Sequence, residues 1–355
     1  MKNIWDSINV GHMKLNHRLA MAPMTRSRAH ADGRPGDLAA LYYAQRASLG
    51  LLISEGTQPS DDGQGYLTTP GIYTEDHIKA WKNVADQVHE NNGYLYIQLM
   101  HVGRMSHPDN TSHHRQALAP SAIAPQVGMF TAEGMKDIPI PKEMTIKEIE
   151  RTIQEFRHAA ASAIRAGADG IEIHGASGYL FHQFFANNAN QRTDQYGGTI
   201  ENRVRFALEV VTAVVEEIGA DRVGFRISPG MALGGIVEED ANKELYLYLT
   251  NQLNALNLAY LHIVYNQNDE FLKEVRQAWK SVLLVNRPDR ALEDIGTDIE
   301  NDLADIASIG RWAIANPDFV ERLKTGTDLN ELNPNGLYAG GREGYTDYPT
   351  LKEKK

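Results

Sequence analysis

Gly170-Ile171-Glu172-Ile173-His174-Gly175-Ala176-Ser177-Gly178-Tyr179-Leu180 is the stretch on which the reading of this chain turns. A short apolar run ends in a loop that presents an imidazole, a hydroxyl and a phenol, three hydrogen-bonding groups aimed at one space. Outward from it, short β-rich runs alternate with longer segments whose apolar residues recur at spacings of three and four, as repeated βα units with a parallel sheet require. Strands are expected at 18–22, 50–54, 94–99, 170–173, 222–227, 259–264, 281–285 and 304–309. Helices are expected over 37–48, 75–91, 145–166 and 199–218 among their followers. Eight such units make a (β/α)8 TIM barrel, here a single α/β domain over 1–355, and that fold places its chemistry on the loops following the strands. The competing architecture is an open doubly wound sheet, but no G-x-G-x-x-G follows a strand to support it. Segment 101–141 is too long for an ordinary connection and is expected to form a lid or excursion over the barrel mouth after strand three. Segment 326–355, punctuated by Asn333-Pro334-Asn335-Gly336, reads as a C-terminal tail.

Composition narrows the partners. The chain carries 35 Lys and Arg against 46 Asp and Glu, a net charge of -11, which opposes binding to nucleic acid or an anionic membrane. There is no cysteine, so disulfides, thiolate catalysis, iron–sulfur ligation and cysteine-bound zinc are excluded. Residues 1–24 lack the apolar core of a signal peptide and no later run is long enough to span a bilayer, so a soluble cytoplasmic protein is expected. His101, His107, His113 and His114 crowd the excursion, yet no H-E-x-x-H or carboxylate stands at ligand spacing; a solvated loop is expected rather than a metal site. His182 is expected on the surface or behind the site, and the run 352–355 as a frayed end.

The candidate chemistry gathers at strand ends. His174 and Ser177 form a donor pair suited to a carbonyl or nitro oxygen on which negative charge grows, and Tyr179 can deliver a proton from a different angle. Gly310-Arg311, after the last strand, suits a phosphate, because barrels often bind phosphate near strands seven and eight. Arg226, closing strand five, is either a ligand or a buried ion-pair partner.

These residues resemble the Old Yellow Enzyme family of flavin-dependent ene reductases. The likeness is carried by 174–180, Gln183-Phe184, 190–198 and Glu201-Asn202-Arg203, and by 22–26, 98–104, 224–229, 310–311, 315–318 and 344–349, in order along nearly the whole chain. It implies non-covalent FMN at the barrel mouth, reduced by NADH or NADPH and reoxidised by an electron-poor alkene such as an enone, enal, maleimide or nitroalkene. In that scheme His174, helped by Ser177, anchors the substrate oxygen and Tyr179 donates the proton. Thr25, Gln98 and Arg226 match positions that bind the flavin ring. Pro23, Met24 and Gly56 match its lining, and Gly310 and Arg311 the phosphate clamp. Tyr66, Met100 and Tyr345 match the substrate cavity.

The chain departs from the family pattern at several of these positions. Ser177 stands where His or Asn is usual, and its shorter side chain predicts slower turnover of common enones. Met100 stands where Trp is common, and Gly56 where Ala is usual. Asn286-Arg287-Pro288 replaces glycines whose amides approach the phosphate, so either Arg287 supplies charge instead or FMN is held loosely. Two other functions stay open: an FMN-binding barrel with weak or lost turnover, and a redox-free lyase or hydrolase using His174 and Tyr179. The sequence leaves the oligomeric state undetermined.

Overall fold

The computed structural model describes residues 2–238 and 242–352, so most of the 352–355 run lies outside the described residues. Eight parallel strands close into a barrel: β3 (Leu19–Met21), β4 (Leu51–Ile53), β5 (Tyr94–Leu99), β10 (Gly170–His174), β11 (Val223–Ile227), β12 (Tyr260–Val264), β13 (Val282–Asn286) and β14 (Ile306–Ile309). Closure is made by β14 pairing with β3, Ile309 opposite Met21. The open doubly wound alternative is thereby excluded, since that sheet has two free edges. These strands are buried along almost their whole length, which is why they read as continuous apolar runs rather than as an alternation.

The helices lie outside the ring: α1 (Ala39–Ala44), α2 (Glu75–Glu90), α3 (Ile146–Arg165), α4 (Leu180–Phe185), α5 (Ile200–Ile218), α6 (Lys243–Ala255), α7 (Asp269–Ala278), α8 (Thr297–Glu300), α9 (Arg311–Ala315) and α10 (Phe319–Thr325). Their apolar faces, among them Val84, Ile149, Phe156 and Val210, join Leu52, Ile97, Ile171 and Phe225 of the strands in one continuous core. Helix α3 starts at a reciprocal cap: the Glu148 amide donates to Thr145 Oγ1 at 3.3 Å and the Thr145 amide to Glu148 Oε2 at 2.8 Å. Such a cap is worth about 1 kcal/mol and fixes where the helix leaves the preceding loop.

Two further elements shape the barrel's ends. A short N-terminal hairpin, β1 (Ile8–Val10) and β2 (Met13–Leu15), seals the bottom, its Val10, Met13 and Leu15 clustering with Ala20, Leu51, Ile53, Tyr96, Tyr260, Leu284 and Ile306. At the top, segment 101–141 is tied at its base by β6 (Leu118–Ala119) pairing with β9 (Lys142–Glu143), and it carries a hairpin of β7 (Gly128–Thr131) and β8 (Gly134–Asp137). The segment is not the solvated loop its histidines suggested. His101 and His107 are buried, and burial holds the His101 ring down at about 4. Among the described residues no group of three or more His, Asp or Glu is placed to hold a metal ion, and no helix is long and apolar enough to cross a membrane.

Candidate active site

The loop after β10 owes its shape to two residues in the left-handed region, Ser177 at φ 58° and Gly178 at φ 82°. Gly178 has no alternative, because a Cβ there would lie 2.4 Å from the Leu233 carbonyl oxygen. The turn is fastened from behind. Gln183 Nε2 donates to the carbonyls of Val102 at 2.9 Å and Gly178 at 2.8 Å, and its Oε1 accepts from the Arg104 amide at 2.9 Å. His182 is not on the surface: it is fully buried, its Nδ1 accepts from the Gly178 amide at 3.0 Å, and its Nε2 stands 3.3 Å from Glu238. Glu238 in turn accepts from the Gly230 amide at 2.8 Å, linking the loops after β10 and β11. The spacing to Tyr179 made none of this visible; only the i, i+4 placement of Gly178 and His182 hinted at it.

The candidate reactive groups face one another across this turn. The ring centres of His174 and Tyr179 are 5.2 Å apart, edge to face, and Tyr179 Oη lies 3.1 Å from Tyr66 Oη. Burial, reinforced by the Arg226 charge, pushes the His174 pKa well below its ordinary value, so the imidazole is neutral and has one N–H to donate. Its Nδ1 is buried without a partner among the described residues. Burial and the Tyr66 phenol beside it push the Tyr179 pKa well up, which keeps that hydroxyl protonated. Ser177 sits in the same turn, with its amide spent on Ser228 Oγ at 2.9 Å.

Tyr66, Tyr179 and Thr25 line a cavity of about 550 Å³ whose other walls are mostly apolar: Met105, Met129 and Phe130 from the excursion, and Tyr338 from the tail. Met100 packs behind that wall with Met105, Tyr66 and Tyr179. It also explains Gly56, where a Cβ would fall 2.4 Å from Met100 Sδ; the two departures from the family pattern fit each other. Tyr345 is not in the cavity. It is buried away from it, its ring stacked on Tyr42 at 4.2 Å and 13° with Arg26 and Arg28 over its face, because the tail is folded down onto α1. Tyr338, which the sequence did not single out, takes the place on the wall.

Beneath the mouth stand Gln98 and Arg226, both buried. Gln98 Nε2 donates to Glu172 Oε1 at 2.8 Å, leaving its carbonyl oxygen for another donor. Arg226 takes part in no ion pair among the described residues, and its Nε is buried without a partner. A buried guanidinium without a direct partner is costly unless something anionic or acceptor-rich completes it. The pyrimidine edge of a flavin, carbonyl- and nitrogen-rich, has that chemistry, so the residues present fit FMN. After β3, Pro23 is buried and Met24 half-buried.

A second cavity, of about 350 Å³, is lined by Asn286, Arg287, Arg290, Gly310 and Arg311. Gly310 leaves it open, since a Cβ there would meet only Met24 Sδ at 3.8 Å. Arg311 is largely exposed, with Asp289 at 3.8 Å its one ion-pair partner among the described residues, and is available to an anion. Arg287 is not. Its guanidinium is bound to Asp298 at 2.9 and 3.0 Å and to Asp269 at 2.6 Å, so its charge is already neutralised. Asn286 Nδ2 is likewise occupied, donating to the Ser308 carbonyl at 2.8 Å.

Known proteins resemble this chain along nearly its whole length. Residues 3–330 match the NADH:flavin oxidoreductase / NADH oxidase family. The chain is 38% identical to 12-oxophytodienoate reductase 2 of Arabidopsis thaliana over 97% of its length and 94% of that protein's. It is 37% identical to a probable flavin mononucleotide-dependent alkene reductase of Leishmania infantum over 96% of both. Among solved structures it is similar to morphinone reductase, with a TM-score of 0.94 and 38% identity over 99% of this chain and 97% of that one. It is similar also to the old yellow enzyme homologue from Zymomonas mobilis, with a TM-score of 0.95 and 33% identity over 99% of this chain and 100% of that one. The closed barrel, the loop that joins His174 to Tyr179 and this likeness along the whole chain establish that the protein belongs to the NADH:flavin oxidoreductase family, the Old Yellow Enzymes.

Proposed function

We propose that the protein is an FMN-dependent reductase of electron-poor carbon–carbon double bonds, driven by NADH or NADPH. FMN would supply the hydride chemistry, accepting hydride from the nicotinamide and passing it to the alkene β-carbon. The chain's own residues do the rest. Arg226 and Gln98 would hold the pyrimidine side of the flavin and Thr25 its outer edge, with Pro23, Met24 and Gly56 along the ring. Gly310 and Arg311 would hold the phosphate. His174, neutral and with an unspent ring nitrogen, donates to the carbonyl or nitro oxygen of the alkene and favours the charge that develops there. Ser177 lends a second, shorter donor. Tyr179, kept protonated by burial, delivers the proton to the α-carbon and can be reprotonated through Tyr66 at 3.1 Å. The apolar walls exclude water from that transfer.

The observation that carries this reading is the pairing of a neutral imidazole with a protonated phenol, ring centres 5.2 Å apart, above a buried Arg226 that makes no direct ion pair among the described residues. Its test is a visible spectrum of the purified protein, followed by anaerobic addition of NADH or NADPH and then cyclohexenone. Bleaching and recovery of the flavin band are expected. A colourless protein that takes up no FMN would point to the redox-free lyase or hydrolase and end this reading. Bleaching without recovery would favour the FMN-binding barrel with lost turnover, a reading consistent with the neutralised Arg287 in the phosphate cavity.

A further inference from the structure

The barrel interior holds a polar assembly that the reaction above does not use. Glu172 is completely buried, and each of its carboxylate oxygens has a partner from a different strand: Oε1 accepts from Gln98 of β5 at 2.8 Å, and Oε2 lies 2.8 Å from Nδ1 of the equally buried His262 of β12. Since β11 stands between β10 and β12 in the ring, the Glu172–His262 contact runs through the interior, not along the wall. Room for this layer depends on Gly224, which sits opposite both Glu172 and Tyr260 in register and whose Cβ would lie 2.2 Å from the Tyr260 ring.

The charges in this layer can be assigned. Burial raises the Glu172 pKa, but the His262 ring, the Arg226 charge and Gln98 outweigh it, so Glu172 is a carboxylate. Burial lowers the His262 pKa, leaving a neutral ring whose Nδ1–H donates to Glu172. Arg226 lies between His174 and His262 in the strand register, and its main electrostatic support is Glu172. One carboxylate and one guanidinium therefore leave the layer below the site with no net charge.

We propose that Glu172 and His262 are positioning residues for the cofactor, fixing Gln98 and offsetting the charge of Arg226 so that reduced FMN is not bound too tightly relative to oxidised FMN. This rests on the flavin reading given above. Glu172 and His262 act through Gln98 and Arg226, the residues that would hold the pyrimidine side of the flavin. Reduced FMN carries more negative charge at the pyrimidine than oxidised FMN, so an Arg226 without its buried counter-charge would favour the reduced form. The carboxylate holds that preference back, which keeps the reduced cofactor a willing hydride donor.

Three variants test the assignment: Glu172→Gln, His262→Asn and His262→Leu. The Glu172→Gln amide can still accept from Gln98 and can donate to His262 in its other tautomer, so charge is removed while the bonds stay. FMN affinity is measured by fluorescence titration of apoprotein, and the two-electron midpoint potential by anaerobic dye equilibration. Glu172→Gln should bind reduced FMN about tenfold more tightly relative to oxidised FMN, raising the midpoint by about 30 mV. His262→Asn, which retains a donor to the carboxylate, should stay near wild type. His262→Leu, which does not, should move toward Glu172→Gln as the buried carboxylate takes up a proton. Should Glu172→Gln not accumulate as folded protein, the difference between the two His262 variants decides the question. Midpoints that coincide in all four proteins, with only thermal stability altered, would overturn the proposal while leaving the flavin reading intact. Wild-type apoprotein that takes up no FMN would overturn both.

Discussion

At Ser177 a backbone demand and a chemical demand meet. Its φ of 58° lies where serine gains little and asparagine is well tolerated, because a short amide can hydrogen-bond locally there. The usual His or Asn at this position would also reach farther toward a substrate oxygen. Ser177→Asn is therefore expected to raise stability by about 0.5 kcal/mol and to speed reduction of cyclohexenone several-fold. Thermal melts and kcat/KM measure the two effects; a lower Tm with no gain in turnover would contradict the account. The residue types at 174, 177 and 179 were legible in the sequence, and so was their common loop. The left-handed turn was not, since the Ser-Gly pair admits several backbone paths. Nor were the partners of Arg287 legible, because Asp269 and Asp298 lie 18 and 11 residues away on other elements.

Among the elements, the barrel strands were the easiest to read and the tail the hardest. Strands buried on both faces announce themselves as unbroken apolar runs, and the expected boundaries fall within two residues of β3, β4 and β5 and of their five partners. The hairpin β1–β2 was missed, being two strands of three residues each, too short to show a period. The tail was misjudged at Tyr345 because its seat depends on arginines some 300 residues earlier. Arg26 donates to the carbonyls of Gly336, Leu337 and Gly344, and Arg28 to those of Gly336, Gly341 and Glu343. This clamp sets Tyr338 and Ala339 on the cavity wall. Arg28→Ala should speed amide exchange in residues 336–345 while the strands stay protected, and should raise KM for bulky enones more than it lowers kcat. Unchanged exchange in that segment would show that the clamp is held by Arg26 and the Tyr42–Tyr345 stack alone.

For the molecule as a whole, Glu55 makes stability depend on pH. It is buried beside the clamp, accepts from the Arg26 amide at 3.0 Å and the Ser27 amide at 3.3 Å, and is pushed up to about 6, chiefly by burial. A carboxyl whose folded pKa exceeds its unfolded value holds its proton more tightly in the folded chain. The resulting stabilisation is complete below about 4.5 and is lost as pH rises through about 6, on the order of 2 kcal/mol. Glu55→Gln keeps an acceptor for both amides and cannot ionise. Its Tm should accordingly gain on that of wild type as pH rises from 4.5 to 6.5, and a difference constant across that range would refute the assignment.

The order in which residues leave the ribosome gives the clamp one more consequence. A nascent chain that has emerged through Ile309 holds all eight strands of its ring, but the residues that finish the pocket are still in the exit tunnel. Until they arrive, Arg26 and Arg28 face water and the hollow above Tyr179 lacks a side. Shortened products ending before residue 336 would thus carry every strand of the barrel and lack one side of its mouth, which separates the residues that give a shape from those that give a purpose.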